Sequence, residues 1–155
     1  MRCIERGLLV LVLALAVAGC ASRKAGAPSG QPPVIAEPPV ALGEPARLRS
    51  MLEVQVQAAM RLVAAHPNGS YEDDPPEVLL AIPVLEVELN GNGTVRRIEV
   101  MRRPSQADET VQMAIDAVHR AAPYGDVSHL PKPWKFREVF LYREDLRFKP
   151  RTLDR

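Results

Sequence analysis

Cysteine is missing from everything after residue 20, since the chain's only two are Cys3 and Cys20. No disulfide, cysteine-ligated metal or cysteine nucleophile can belong to a domain built from the rest. An excess of basic charge is missing as well. The 20 Lys and Arg face 19 Asp and Glu, for a net charge of +1, whereas a nucleic-acid binder carries a basic patch or stripe. No apolar run reaches membrane-spanning length. The longest, Gly7 to Gly19, has about 13 residues, against roughly 20 for a transmembrane helix. There is no G-x-S-x-G, no H-E-x-x-H and no phosphate-cradling glycine loop. His66, His119 and His129 stand apart along the chain and read as structural or solvated residues. These absences predict a protein that is not an enzyme, with no metal, no cofactor, no small-molecule substrate and no nucleic acid.

What is present starts with MRCIERGLLVLVLALAVAGC. Arg2 and Arg6 open it, the short apolar run follows, and small residues close it, which is the form of a secretory signal peptide over 1–19. A short anchor left uncut is the alternative. Val17-Ala18-Gly19-Cys20 resembles the bacterial lipobox, in which the cysteine is acylated and becomes the first residue of the mature chain. The resemblance implies a triacylated Cys20, and several acyl chains are what stable anchoring requires. Residue 21 is Ala. In the lipoprotein pattern an Asp there favours the inner membrane, so the expected location is the periplasmic face of the outer membrane.

Residues 20–44 hold Pro28, Pro32, Pro33, Pro38 and Pro39 among Gly, Ala and Ser, a composition that extends rather than folds and reads as a spacer. Pro45 suits the first turn of a helix. Leu48, Leu52, Val56, Ala59 and Val63 then recur at helical spacing, predicting an amphipathic helix over about 45–65 with that stripe as its apolar face. His66-Pro67-Asn68-Gly69 ends it. Glu72, Asp73, Asp74 and Glu77 lack the alternation of a calcium loop and read as a solvated loop.

In VLEVELNGNGTVRRIEVMRR (84–103), Leu85, Val87 and Leu89 alternate with Glu86 and Glu88, a half-buried strand. Asn90-Gly91-Asn92-Gly93 makes a tight hairpin turn. The returning strand, Thr94 to Met101, breaks alternation between Val95 and Ile98, which predicts a bulge near Arg96-Arg97. Ser105 and Asp108 signal a helix start, and Val111, Ala114, Ile115 and Val118 form its face up to Ala122-Pro123. Phe136 to Arg143 is a third strand by composition, with Leu146 and Phe148 extending it or packing just beyond. The order α-β-β-α-β predicts an α+β domain over 45–150: a three-stranded antiparallel sheet with the helices on one face. Residues 151–155 remain as a tail.

This order resembles the C-terminal domain of the TonB/TolA family over about residues 80–150. The strand–turn–strand VLEVELNGNGTVRRIEVMRRP, the helix ETVQMAIDAVHRAAP and the tail LPKPWKFREVFLYREDLRFKP carry the likeness. The resemblance implies a docking module that binds an envelope protein or peptide, with the last strand on the outside of the sheet. There an incoming strand would pair. The residues implied are Trp134, Arg137, Val139, Leu141 and Arg143, or the alternate set Glu138, Phe140 and Tyr142. Core packing is the competing reading for Phe136, Phe140 and Phe148. TonB and TolA proper keep a transmembrane helix coupled to a motor; here a cleavable signal and a short spacer take its place, so energy transduction does not carry over. A passive assembly factor or pilotin-like lipoprotein is the alternative. Arg96, Arg97, Arg102 and Arg103 are a candidate basic patch for an acidic partner or lipid headgroups, unless Glu86, Glu88 and Glu99 balance them across the hairpin.

Overall fold

The structure, a computed structural model, describes residues 40–154. The signal peptide at 1–19, Cys20 and linker residues 20–39 lie outside the described residues.

Ser50 starts the first helix, α1 (Met51–Ala65), from an extended backbone, and its Oγ accepts the Glu53 N–H at 3.2 Å. Glu53 reaches back to the Arg49 N–H at 2.7 Å, so Ser50-x-x-Glu53 works as a capping box displaced by one residue. The helix therefore begins six residues later than Pro45 would have it. Residues before Ser50 form an arm held by side chains of α1. Gln57 accepts the Ala46 N–H at 3.0 Å, and Arg61 donates to Gly43 O at 2.8 Å.

The apolar face of α1 also differs from expectation. Val54, Ala58, Ala59, Leu62 and Ala65 are buried, while Leu52 is 71% exposed. Only Ala59 is shared with the predicted stripe. Alanines at 58, 59 and 65 let the helix approach the sheet closely, and a spacing pattern does not say which of two apolar faces the rest of the domain will cover.

β1 (Val84–Leu89) buries Leu85, Val87 and Leu89 as its alternation predicts. Its antiparallel partner β2 (Val95–Arg102) is bulged at Arg96, where the register steps from Glu88↔Arg97 to Leu89↔Val95, and again at Met101. The second helix, α2 (Glu109–Ala121), buries Val111, Ala114, Ala117, Val118 and Ala121. Asp108 precedes it without a side-chain cap; the first turn is tied instead by Thr110 Oγ1, which donates to Ala107 O at 2.7 Å.

β3 (Lys135–Tyr142) pairs antiparallel with β1, and a fourth strand, β4 (Phe148–Pro150), pairs with its far end. The sheet is thus four-stranded, antiparallel and open, in the order β2-β1-β3-β4, rather than three-stranded. Phe148 explains the extra strand. Its ring lies 5.2 Å from Phe140 and 5.8 Å from Tyr142, completing an aromatic cluster on the core face. Such rings bury large apolar areas, so the chain reverses over 143–147 to place this one. A single 3₁₀ turn, Arg151–Leu153, follows β4. Both helices and the core-facing residues of β1, β3 and β4 share one hydrophobic cluster, with the helices on a single face of the sheet.

Candidate docking edges

β3 is an interior strand. Along Phe140–Tyr142 it is paired with β4, whose own outer side is covered in turn: Phe148 donates its N–H to Gly69 O at 3.0 Å and accepts from Tyr71 N at 3.1 Å. Nearer its start, side chains stand in for a neighbouring strand. Gln55 Nε2 donates to Arg137 O at 2.8 Å, and the Val139 N–H donates to Glu138 Oε1 at 3.1 Å. The expected placement of the last strand on the outside, inferred from family resemblance, is corrected on this point.

The residues assigned to that edge separate accordingly. Trp134 is half-buried, its Nε1 donating to Leu130 O at 2.9 Å and its ring lying under Lys132 Nζ at 4.7 Å. Arg137 points from the exposed sheet face to Glu86 at 3.3 Å. Leu141 is buried, and its carbonyl accepts from the Tyr71 hydroxyl at 3.0 Å. Arg143 lies 4.2 Å from the Tyr71 ring centre and pairs with Asp145 at 2.8 Å. The alternate set, Glu138, Phe140 and Tyr142, is wholly in the core.

Glu138 is the unexpected member of that set. Only 1% exposed, it accepts from the N–H of Val139 and that of Thr152, each at 3.1 Å and both on Oε1, while Oε2 has no partner. Burial pushes its pKa up, against those hydrogen bonds. The carboxylate fastens the C-terminal 3₁₀ turn to β3. Its place in an alternating β pattern gave no hint of this, because the group it serves lies 14 residues on.

β2 is the edge that stays open. Leu89 donates to Trp134 O and Pro83 accepts from Phe140, so Glu86 and Glu88 turn their backbone groups to β2, opposite Glu99 and Arg97. By antiparallel alternation, the N–H and C=O of Ile98 and Val100 then point away from the sheet. No strand of the described residues pairs with that side. Arg96 pairs with Glu88 at 3.1 Å and Arg97 with Glu99 at 3.6 Å, so half of the candidate basic patch is balanced across or along the hairpin. Arg102 and Arg103 are exposed, beside Met101 at 45% exposure, and make no ion pair among the described residues.

The three histidines are not brought together. His66 Nδ1 lies 2.8 Å from Leu62 O, His129 Nε2 lies 2.7 Å from Leu48 O, and His119 is on the exposed side of α2. Among the described residues no group of three or more His, Cys, Asp or Glu is placed to hold a metal, and no helix is long and apolar enough to cross a membrane. A recess of about 740 Å³ lies open between the hairpin turn at Gly91-Asn92, the arm at Glu44–Arg47 and the loop at Pro123–Ser128. No family model, curated protein or solved structure matches the chain.

Proposed function

We propose that this chain is a docking module held at the periplasmic face of the outer membrane by an acylated Cys20, and that it takes up an extended segment of an envelope protein along β2. The TonB/TolA resemblance supports the module; the free outer side of β2 carries the proposal. An eight-residue strand with outward backbone groups at Ile98 and Val100 is a template for another strand. Its side chains favour an acidic guest at one end, because Arg102 and the adjoining Arg103 are exposed and make no ion pair among the described residues, whereas Arg96 and Arg97 are already paired with Glu88 and Glu99. Docking thus moves from the last strand, where the resemblance puts it, to the hairpin edge at the other side of the sheet.

The test is crosslinking in the native envelope followed by recovery of the attached protein. Val100→Pro removes one outward donor at an edge, where proline is tolerated, so it is expected to abolish recovery while the circular dichroism spectrum is unchanged. Arg102→Glu and added salt are each expected to weaken binding. Full recovery with Val100→Pro would refute strand addition at β2. Absence of fatty-acid labelling, or labelling that survives Cys20→Ser, would refute the anchor.

A further inference from the structure

β2 is regular over only part of its length. Val100, Glu99, Ile98 and Arg97 face Leu85, Glu86, Val87 and Glu88 in unbroken register, and beyond each end of that stretch the register slips. Arg96 is the extra residue at one end and Met101 at the other. A bulge leaves its extra residue unpaired, bends the strand and raises its twist, so a ladder does not run through it. Arg102 faces Val84, and its backbone groups turn inward, which ends the outward run after Val100. A regular guest needs outward groups at every second residue, and on this edge only Ile98 and Val100 supply them in step.

The side chains on this stretch divide by face. Ile98 and Val100 are half-buried and pack against the core, whereas Arg97 and Glu99 are exposed on the other face and pair with each other at 3.6 Å. Opposite residues of paired strands share a face. A guest therefore sets apolar side chains beside Ile98 and Val100 and uncharged polar ones beside Arg97 and Glu99, which already answer each other. At the near end Arg96 is taken by Glu88 at 3.1 Å. Unanswered cations are confined to the far end. Arg102 and Arg103 are exposed there and make no ion pair among the described residues, Asp108 and Glu109 at the start of α2 included.

We infer that β2 selects a short guest: about four extended residues, alternately polar and apolar, with carboxylates directly beyond the end that lies at Met101. The inference rests on strand addition at β2 and gives it a length and a sign of charge. The N–H and C=O groups of Ile98 and Val100 make up the whole ladder, so a longer extended segment gains no further backbone bonds. Arg102 and Arg103 then decide between guests, favouring carboxylates beyond the paired stretch and repelling a guest that continues with lysine or arginine. The two bulges also keep the edge from pairing indiscriminately, which is how sheet edges are protected.

The test uses the full chain in non-ionic detergent and fluorescein-labelled peptides, with binding read by fluorescence anisotropy. The peptides carry a Thr-Val core of two, four or eight residues between paired glutamates, or between paired lysines. With glutamate ends, binding is expected to tighten from the two-residue to the four-residue core and to stay level at eight. Lysine ends are expected to weaken it about fivefold. Arg102→Glu with Arg103→Glu is expected to reverse that preference, and Val100→Pro to abolish binding of every peptide. Circular dichroism checks that each variant is folded. Should the double Glu variant fail to fold, Arg102→Gln with Arg103→Gln is expected to erase the preference instead. Binding that Val100→Pro abolishes, but that grows from four to eight residues or ignores the sign of the ends, would overturn this inference and leave strand addition standing. Binding of no peptide, or binding that survives Val100→Pro, would overturn both.

Discussion

Gly91 and Gly93 occupy the same hairpin turn, yet their replacement by alanine should have very unequal consequences. Gly93 has φ +78°, and a Cβ there would overlap the backbone O, N and C of Gly125. Holding an alanine in the left-handed region costs about 1–2 kcal/mol. Relieving the overlap requires the turn and the 124–127 loop to part. That strains the hydrogen bonds from Tyr124 N–H to Gly93 O and from Val127 N–H to Gly91 O, both 2.8 Å, each contributing about 1 kcal/mol. Gly93→Ala should therefore lose roughly 3–4 kcal/mol, a large part of the ~5–15 kcal/mol that holds a domain. Gly91 is different. Its φ is not positive, and the added Cβ would meet Ser128 Cβ at 3.3 Å and the Trp134 ring at 3.6 Å, so Gly91→Ala should stay within about 1 kcal/mol of the parent. The chain's one tryptophan, Trp134, reports urea unfolding by fluorescence. The expected result is a lowered midpoint for Gly93→Ala at unchanged m-value. A Gly93→Ala midpoint equal to that of Gly91→Ala would refute the reasoning.

Val139→Pro removes the donor to Glu138 inside an interior strand, and a loss of about 3 kcal/mol or more should appear as a sharply lowered melting temperature. A parent-like melt would mean that β3 has an open side after all. Glu138→Gln tests the buried carboxylate. Its folded pKa is raised above the unfolded one, so the charged form weakens the fold at high pH and the penalty fades as pH falls through the folded pKa. The stability difference between Glu138→Gln and the parent should accordingly shrink on acidification, measured by urea midpoints across pH. Asp145 behaves in the opposite sense. Burial acts to raise its pKa, but hydrogen bonds from Arg143 and Arg147 outweigh it and bring it down to about 2. Its contribution is present above the ordinary carboxylate range and fades toward pH ~2. Asp145→Asn should cost at most about 1 kcal/mol, given its exposure, and should make no difference at the acid end.

Elements governed by near neighbours were legible. The β1 alternation, the hairpin turn and the bulge at Arg96 follow from residues no more than a few positions apart, and all are present. The turn is a three-residue loop closed by Gly93 in the left-handed region, with the Gly93 N–H donating to Asn90 O at 2.9 Å. The face of α1 was not legible, because Leu52-Val56-Met60 and Val54-Ala58-Leu62 have the same period. β4 was hidden for another reason. Three residues carry no periodicity, and Phe148 is explained only by Phe140 and Tyr142 across the reversal.

What the sequence determined by itself was the inventory: two helices, the hairpin, a cysteine-free domain and the α+β class. These depend on local spacing and composition, which are properties of the chain before it folds. Only the tertiary structure decided which surfaces are spent and which are left over. It closed β3 between β1 and β4, left β2 outermost and turned Leu52 and Met60 outward. The physical reason is that an edge or an exposed face is defined by what fails to pack against it, and that is settled by residues far away in the chain.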